Sequence, residues 1–115
     1  MNNTNRQPLC IHQVVQTSSG GDHVTIYESS LEFTKTEGIV VTLETDAVVE
    51  AQYASQDALQ SALDSIGEGV TRALDTRAVG AHIRVMRLVL HPIDFKPLMF
   101  RKLTEKAVTN LTHNS

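Results

Sequence analysis

The side chains of this chain best suited to chemistry near neutral pH are five histidines (His12, His23, His82, His91 and His113) and one cysteine, Cys10. None of the histidines falls into an HxH, HxxxH or HExxH spacing, so no local motif assembles a zinc site and no cofactor is expected. Cys10 and His12 stand two residues apart and would both need further ligands. Cys10 lacks any nucleophile signature and reads as a small buried apolar residue. Asp94 is the one carboxylate in an apolar run: it follows Pro92-Ile93 and reads as a helix cap accepting backbone N–H bonds. His91 lies in the same turn, where an exposed imidazole can touch phosphate or act as acid or base beside Asp94. The turn and cap readings take precedence over a small enzyme using His91 and Asp94, so the chain is read as non-catalytic. Gly67-Glu68-Gly69 sits inside a helical pattern without a Lys-Ser/Thr partner, which supports neither a dinucleotide site nor a P-loop.

Charge is the next signal. The net charge of −3 hides an asymmetry. Between Asp22 and Glu68 the acidic residues face a single cation, Lys35, whereas Arg72, Arg77, Arg84, Arg87, Lys96, Arg101, Lys102 and Lys106 crowd the C-terminal half against Asp75, Asp94 and Glu105. A basic half can be a phosphate footprint; it can equally be a solvated face or a self-association surface.

These residues need a scaffold, and 115 residues suffice for one domain and one core. Residues 1–8 and 112–115 are too polar to bury and are expected to be disordered tails around a domain over 9–111. No apolar run reaches the roughly 18 residues that span a bilayer. The N-terminus lacks a signal-peptide pattern and the lone cysteine suits a reducing compartment, so a cytoplasmic protein with no membrane partner is expected. Leu9 to Val15 can form an edge strand, and Ser18 to Asp22 reads as a loop. His23 to Thr34 alternates through Val24, Ile26, Leu31 and Phe33, with a bulge or break near Glu28–Ser30. Gly38–Thr45 and Asp46–Tyr53 read as β-like runs whose short connections favour antiparallel neighbours. Ser55 is placed to cap a helix over about 55–77, whose apolar stripe runs through Leu59, Ala62, Leu63, Ile66, Val70 and Leu74. Gly67 and Gly69 on it point to a close approach of helix to sheet. His82 to Leu90 reads as a strand, and a second helix follows from Asp94 to about Leu111, with Pro97 in its first turn. The expected fold is α+β: a mainly antiparallel four-stranded sheet with two helices packed on one face.

Gly20-Gly21-Asp22-His23-Val24-Thr25-Ile26, then Ile66-Gly67-Glu68-Gly69-Val70-Thr71-Arg72-Ala73-Leu74, then His91-Pro92-Ile93-Asp94 and a helix ending in Lys106-Ala107-Val108 follow one another in an order that resembles domain IV of elongation factor G. That resemblance covers roughly residues 18–111 and implies the fold of the second domain of ribosomal protein S5. The chain departs from the family in its loops. Only Asp22 separates Gly21 from His23, Leu90 runs directly into His91, and Phe95 stands where the family has serine. Those two loops form the family's tip, and both are short here.

The resemblance implies a stand-alone, non-catalytic binding module that contacts the ribosome or structured RNA through its basic C-terminal half. Arg84, Arg87, His91, Arg101, Lys102 and Lys106 are the candidate RNA-binding residues. With no aromatic platform for bases, recognition is expected to rest on shape and phosphate. The alternative is a protein–protein interaction domain or homo-oligomer in which acidic and basic surfaces of two copies meet.

Overall fold

The structure is a computed structural model that describes residues 6–16, 22–36, 38–51, 56–75 and 79–113. Its elements run β1 (Arg6–Val15), β2 (His23–Thr34), β3 (Ile39–Ala51), α1 (Gln56–Ala73), β4 (Gly80–Leu90) and α2 (Pro97–His113). The fold is α+β, as expected: one four-stranded sheet in the order β1-β2-β4-β3, with β1–β2 and β2–β4 antiparallel and β3–β4 parallel. Helix α1 packs over β3 and β4, α2 over β1 and β2, and the two helices touch along their length. Of the buried apolar side chains among the described residues, all but Val24 belong to this one layer. Tyr27, Leu31, Ile66, Val70, Ile83, Val85, Leu88, Phe100 and Val108 are fully enclosed between sheet and helices.

Several expectations are corrected. The two runs over 38–53 are not a pair of antiparallel strands but the single strand β3, which lies beside β4 and reaches it through the α1 crossover. A crossover through a helix brings the next strand back parallel, whatever the local turn residues suggest. Tyr53 and Ser55 lie outside the described residues, as does the Gly20-Gly21 loop. Residues 6–8, assigned to a tail, pair with Glu32, Leu31 and Ser30, because an edge strand needs backbone partners rather than buried side chains. At the other end, Thr112 and His113 continue α2. Helix α1 stops at Ala73, short of Arg77, which is also outside the described residues. Cys10 is exposed rather than buried, because it alternates onto the face of β1 opposite the helices.

The least visible feature is a parity change in β4. Ser29 pairs with Val85 and Glu28 with Arg87, so Met86 is an extra residue, bulged out of the ladder. On the other side Leu43 also pairs with Val85 and Val48 with Arg87, leaving residues 44–47 to bridge the same point. A bulge lets residues an odd number apart share a face. Ile83, Val85, Leu88 and Leu90 therefore all enter the core, and Arg84 and Arg87 are both left on the far face. The irregularity falls beside Glu28–Ser30, where it was expected, but β2 itself runs unbroken. Thr25, Tyr27, Ser29 and Leu31 line its core side, in place of the Val24 and Ile26 set.

Polar groups in the core are anchored at specific points. The Tyr27 and Thr104 hydroxyls share a 2.6 Å hydrogen bond, and the Ser29 hydroxyl donates to the Leu9 carbonyl at 2.7 Å. Burial pushes the Tyr27 phenol well above the ordinary tyrosine range, against the smaller lowering effect of the Thr104 bond. Among the described residues the buried Thr25 hydroxyl has no partner.

Candidate interaction surfaces

The sequence-nominated cations do not converge. Arg84 and Arg87 project from β4 onto the face of the sheet that no described helix covers, whereas Arg101, Lys102 and Lys106 sit on α2, in the layer on the opposite side. His91 belongs to neither set, since it follows β4 at the end of the sheet. Two of the five cations are also committed internally. Arg87 donates from Nε to Glu50 Oε2 at 2.7 Å and from Nη1 to Glu28 Oε2 at 3.2 Å. These bonds, Glu50 first and Glu28 second, hold its proton more firmly than usual. Arg101 bridges the two helices, lying 3.4 Å from Glu68 on α1 and 3.2 Å from Glu105 one turn along α2, with only 16% of its side chain exposed. Its position is that of an interhelical pin. Lys102 and Lys106 are exposed.

The turn at His91 is built differently from the sequence expectation. Helix α2 starts at Pro97, and the Lys96 carbonyl accepts the first bonds from the Met99 and Phe100 amides. Proline at the first helical position fits, because its missing N–H would have been unpaired there anyway. Asp94 is therefore not the cap. Its carboxylate accepts from Gln16 Nε2 at 3.1 Å, and its carbonyl accepts from the Val24 amide at 2.9 Å, tying the turn to the start of β2. The turn-forming side chain is His91, whose Nδ1 accepts from the amides of Ile93 at 3.2 Å and Asp94 at 2.9 Å. Two donors at Nδ1 fix the ring proton on Nε2. The imidazole thus closes the turn through one nitrogen, and His91 and Asp94 are joined by backbone geometry rather than by a catalytic side-chain contact. Among the described residues no group of His, Cys, Asp and Glu is disposed to hold a metal ion.

The uncovered sheet face is the largest feature that sequence reasoning missed. Its cross-strand rows read Arg6, Glu32, His82, Val40; then Pro8, Ser30, Arg84, Thr42; then Cys10, Glu28, Arg87, Val48. Arg6 pairs with Glu32 at 3.6 Å, and Thr42 bonds His82 Nε2 at 3.0 Å. Around these polar links stand exposed apolar side chains: Val14 (47% exposed), Val40 (53%), Met86 (44%) and Val48 (55%). In the sequence they look like ordinary strand residues; the Met86 bulge and the parallel placement of β3 set Val40, Val48 and Met86 along one side of the face, with Val14 on the outer strand β1.

This sheet-and-helix arrangement has a solved counterpart. The chain is similar to a protein of known structure from Thermus thermophilus, with a TM-score of 0.57 and 14% identity over 91% of this chain. It spans 15% of the length of that protein. At such identity the likeness shows the fold alone. No protein-family model matches the chain, and no curated protein matches it. Among the described residues no helix is long and apolar enough to cross a membrane.

Proposed function

We propose that this chain is a non-catalytic protein-interaction domain whose working surface is the open face of its sheet, and that a second copy of the chain is the partner this surface fits. The observation that carries the reading is the charge arrangement on that face. Glu28 and Glu50 share the single guanidinium of Arg87, which leaves a surplus carboxylate. Arg84, between Ser30 and Thr42 in its row, has no carboxylate partner among the described residues. Among the described residues of these rows, each face therefore offers an unmatched charge of either sign beside exposed valines and Met86. A two-fold interface presents the same patch from both sides, so unmatched opposite charges on one patch are what self-complementarity requires. Sheet faces pack well at about 10 Å when their side chains interdigitate.

A second reading rests on the sequence resemblance to elongation factor G domain IV and on Lys102 and Lys106, which stand exposed along α2. In it the module contacts the ribosome or structured RNA. Against it stand the separation of the nominated cations onto two faces and the internal commitment of Arg87 and Arg101.

Sedimentation velocity and an RNA titration separate the two. The first reading expects self-association between micromolar and millimolar protein, abolished by Val48→Glu or Arg84→Glu with far-UV circular dichroism unchanged. It is overturned by a chain that stays monomeric throughout. The RNA reading expects binding at about 50 mM salt that falls steeply by about 200 mM, and that Lys102→Glu with Lys106→Glu removes. Indifference to those substitutions excludes it.

A further inference from the structure

The two carboxylates that share Arg87 are not held alike. Glu50 Oε2 accepts from Nε at 2.7 Å and lies 2.6 Å from Nη2. Glu28 meets only Nη1, at 3.2 Å, and 49% of its side chain is exposed. Glu28 is therefore the carboxylate with acceptor capacity to spare. The unmatched cation, Arg84, stands on the neighbouring strand one row away, since Ser30 pairs with Arg84 and Glu28 with Arg87. Diagonal neighbours of this kind lie about 7–8 Å apart across a sheet. Between the two rows stands Met86, bulged out of the ladder and 44% exposed. A bulge of this kind re-aims a side chain, and here it sets a thioether between two charges of opposite sign.

A two-fold axis between facing sheets lies in the plane of the interface and makes every contact off the axis reciprocal. Set midway between Arg84 and Glu28, at right angles to the line joining them, it carries Arg84 of each copy onto Glu28 of the other. The same axis passes beside Met86. We infer, resting on the self-association reading, that the second copy docks in this register: two reciprocal Arg84–Glu28 pairs flank a contact between the Met86 side chains of the two copies. The ion pairs fix orientation and reject other registers, which would set like charges together. Methionine suits the centre, because it is flexible, polarizable and favoured in interface cores. Glu50 takes no part, since it stays on Arg87 within its own chain.

The experiment is a charge exchange on the full chain, read by sedimentation velocity with far-UV circular dichroism as the check on folding. Arg84→Glu alone sets two carboxylates together at both pairs, and Glu28→Arg alone sets two guanidinium groups together. Each is expected to weaken self-association about tenfold or more. An equimolar mixture of the two variants is expected to restore it, because both pairs of the mixed dimer are again of opposite sign. One chain carrying both substitutions is expected to restore it too. The centre is tested without touching either charge. In a Cys10→Ser background with oxidised glutathione, Met86→Cys is expected to give a disulfide-linked dimer faster than Val14→Cys, which lies on the outer strand. That comparison decides the register even where a charge variant fails to fold. A parent that self-associates while the mixture stays as weak as either variant overturns this register and leaves the open-face reading standing. Cross-linking of Val14→Cys as fast as Met86→Cys has the same force. A parent that stays monomeric up to millimolar concentration overturns both.

Discussion

Two glycines on one turn of α1 are expected to respond to the same substitution with opposite sign. A Cβ at Gly69 would stand 2.5 Å from the Arg101 carbonyl oxygen, 2.9 Å from Thr104 Cβ and 3.1 Å from the Glu105 amide nitrogen, where carbon contacts normally settle near 3.5–4.0 Å. Two of these are α2 backbone atoms and the third is a Cβ fixed directly to it, so none can swing aside; α2 itself must retreat. Overpacking of that kind costs about 1–3 kcal/mol. The same shift strains the buried Tyr27–Thr104 bond, worth about 1 kcal/mol. Replacing a helical glycine by alanine returns about 1 kcal/mol of propensity. Gly69→Ala is therefore expected to lose about 1–3 kcal/mol net. At Gly67 the nearest obstacle is a side-chain methyl of Val41 at 3.2 Å, which can give by a few tenths of an ångström. The propensity gain then decides the sign, and Gly67→Ala is expected to be neutral or up to about 1 kcal/mol more stable. Urea unfolding followed by far-UV circular dichroism reads both: the Gly69→Ala midpoint should fall by roughly 1–2 M and the Gly67→Ala midpoint should hold or rise. A Gly69→Ala variant as stable as the parent, or a Gly67→Ala variant that loses more, would refute the packing argument.

Four further outcomes follow from the core and the helix pair. Ile66→Ala should cost about 2–5 kcal/mol, since its side chain is fully enclosed; the half-buried Leu103 should cost less, a ranking that urea midpoints check directly. Thr25→Val should stabilise the fold by up to about 1–2 kcal/mol, because the buried hydroxyl it removes has no partner; a loss of stability would show that the hydroxyl is satisfied. Arg101→Glu should destabilise more than Lys102→Glu, since it sets a third carboxylate beside Glu68 and Glu105 where a pinning cation stood; equal midpoints would contradict that role. The raised Tyr27 phenol fixes the sign of an alkaline effect. The folded chain keeps a proton that an ordinary tyrosine releases near pH 10, so this contribution is complete below about pH 10 and is lost as pH rises beyond it. The expected slope is about 1.4 kcal/mol per pH unit, and it should flatten in Tyr27→Phe.

The sequence carried the helices, the last strand and the two-layer packing because those depend on periodicity over many residues. It misled where one residue changes parity. Val85, Met86, Arg87 and Leu88 do not alternate cleanly on paper, and only the paired register shows that Met86 is squeezed out so that Val85 and Leu88 share the core. The runs on either side of Thr45-Asp46 looked like two strands because a turn composition interrupts them. In the sheet, residues 44–47 are an irregular passage within β3, opposite the Met86 bulge. Asp94 had the composition of a cap, yet the turn is closed by His91 Nδ1, a contact that needs coordinates. The cations were grouped by their nearness along the chain, and the alternation of strand and helix then sent them to opposite sides. The open face could not have been assembled from the sequence, since Val14, Val40, Val48 and Met86 come from three strands whose neighbours are set by the α1 crossover.

The most direct test of the open face as an interface is the concentration dependence of the amide and methyl nuclear magnetic resonance spectrum of the full chain. On dilution from millimolar to micromolar protein, the account predicts shifts confined to Val40, Val48, Arg84, Met86 and their cross-strand neighbours, and their disappearance in Arg84→Glu. Shifts confined to α2 around Lys102 and Lys106, or a spectrum that does not change with concentration, would contradict it.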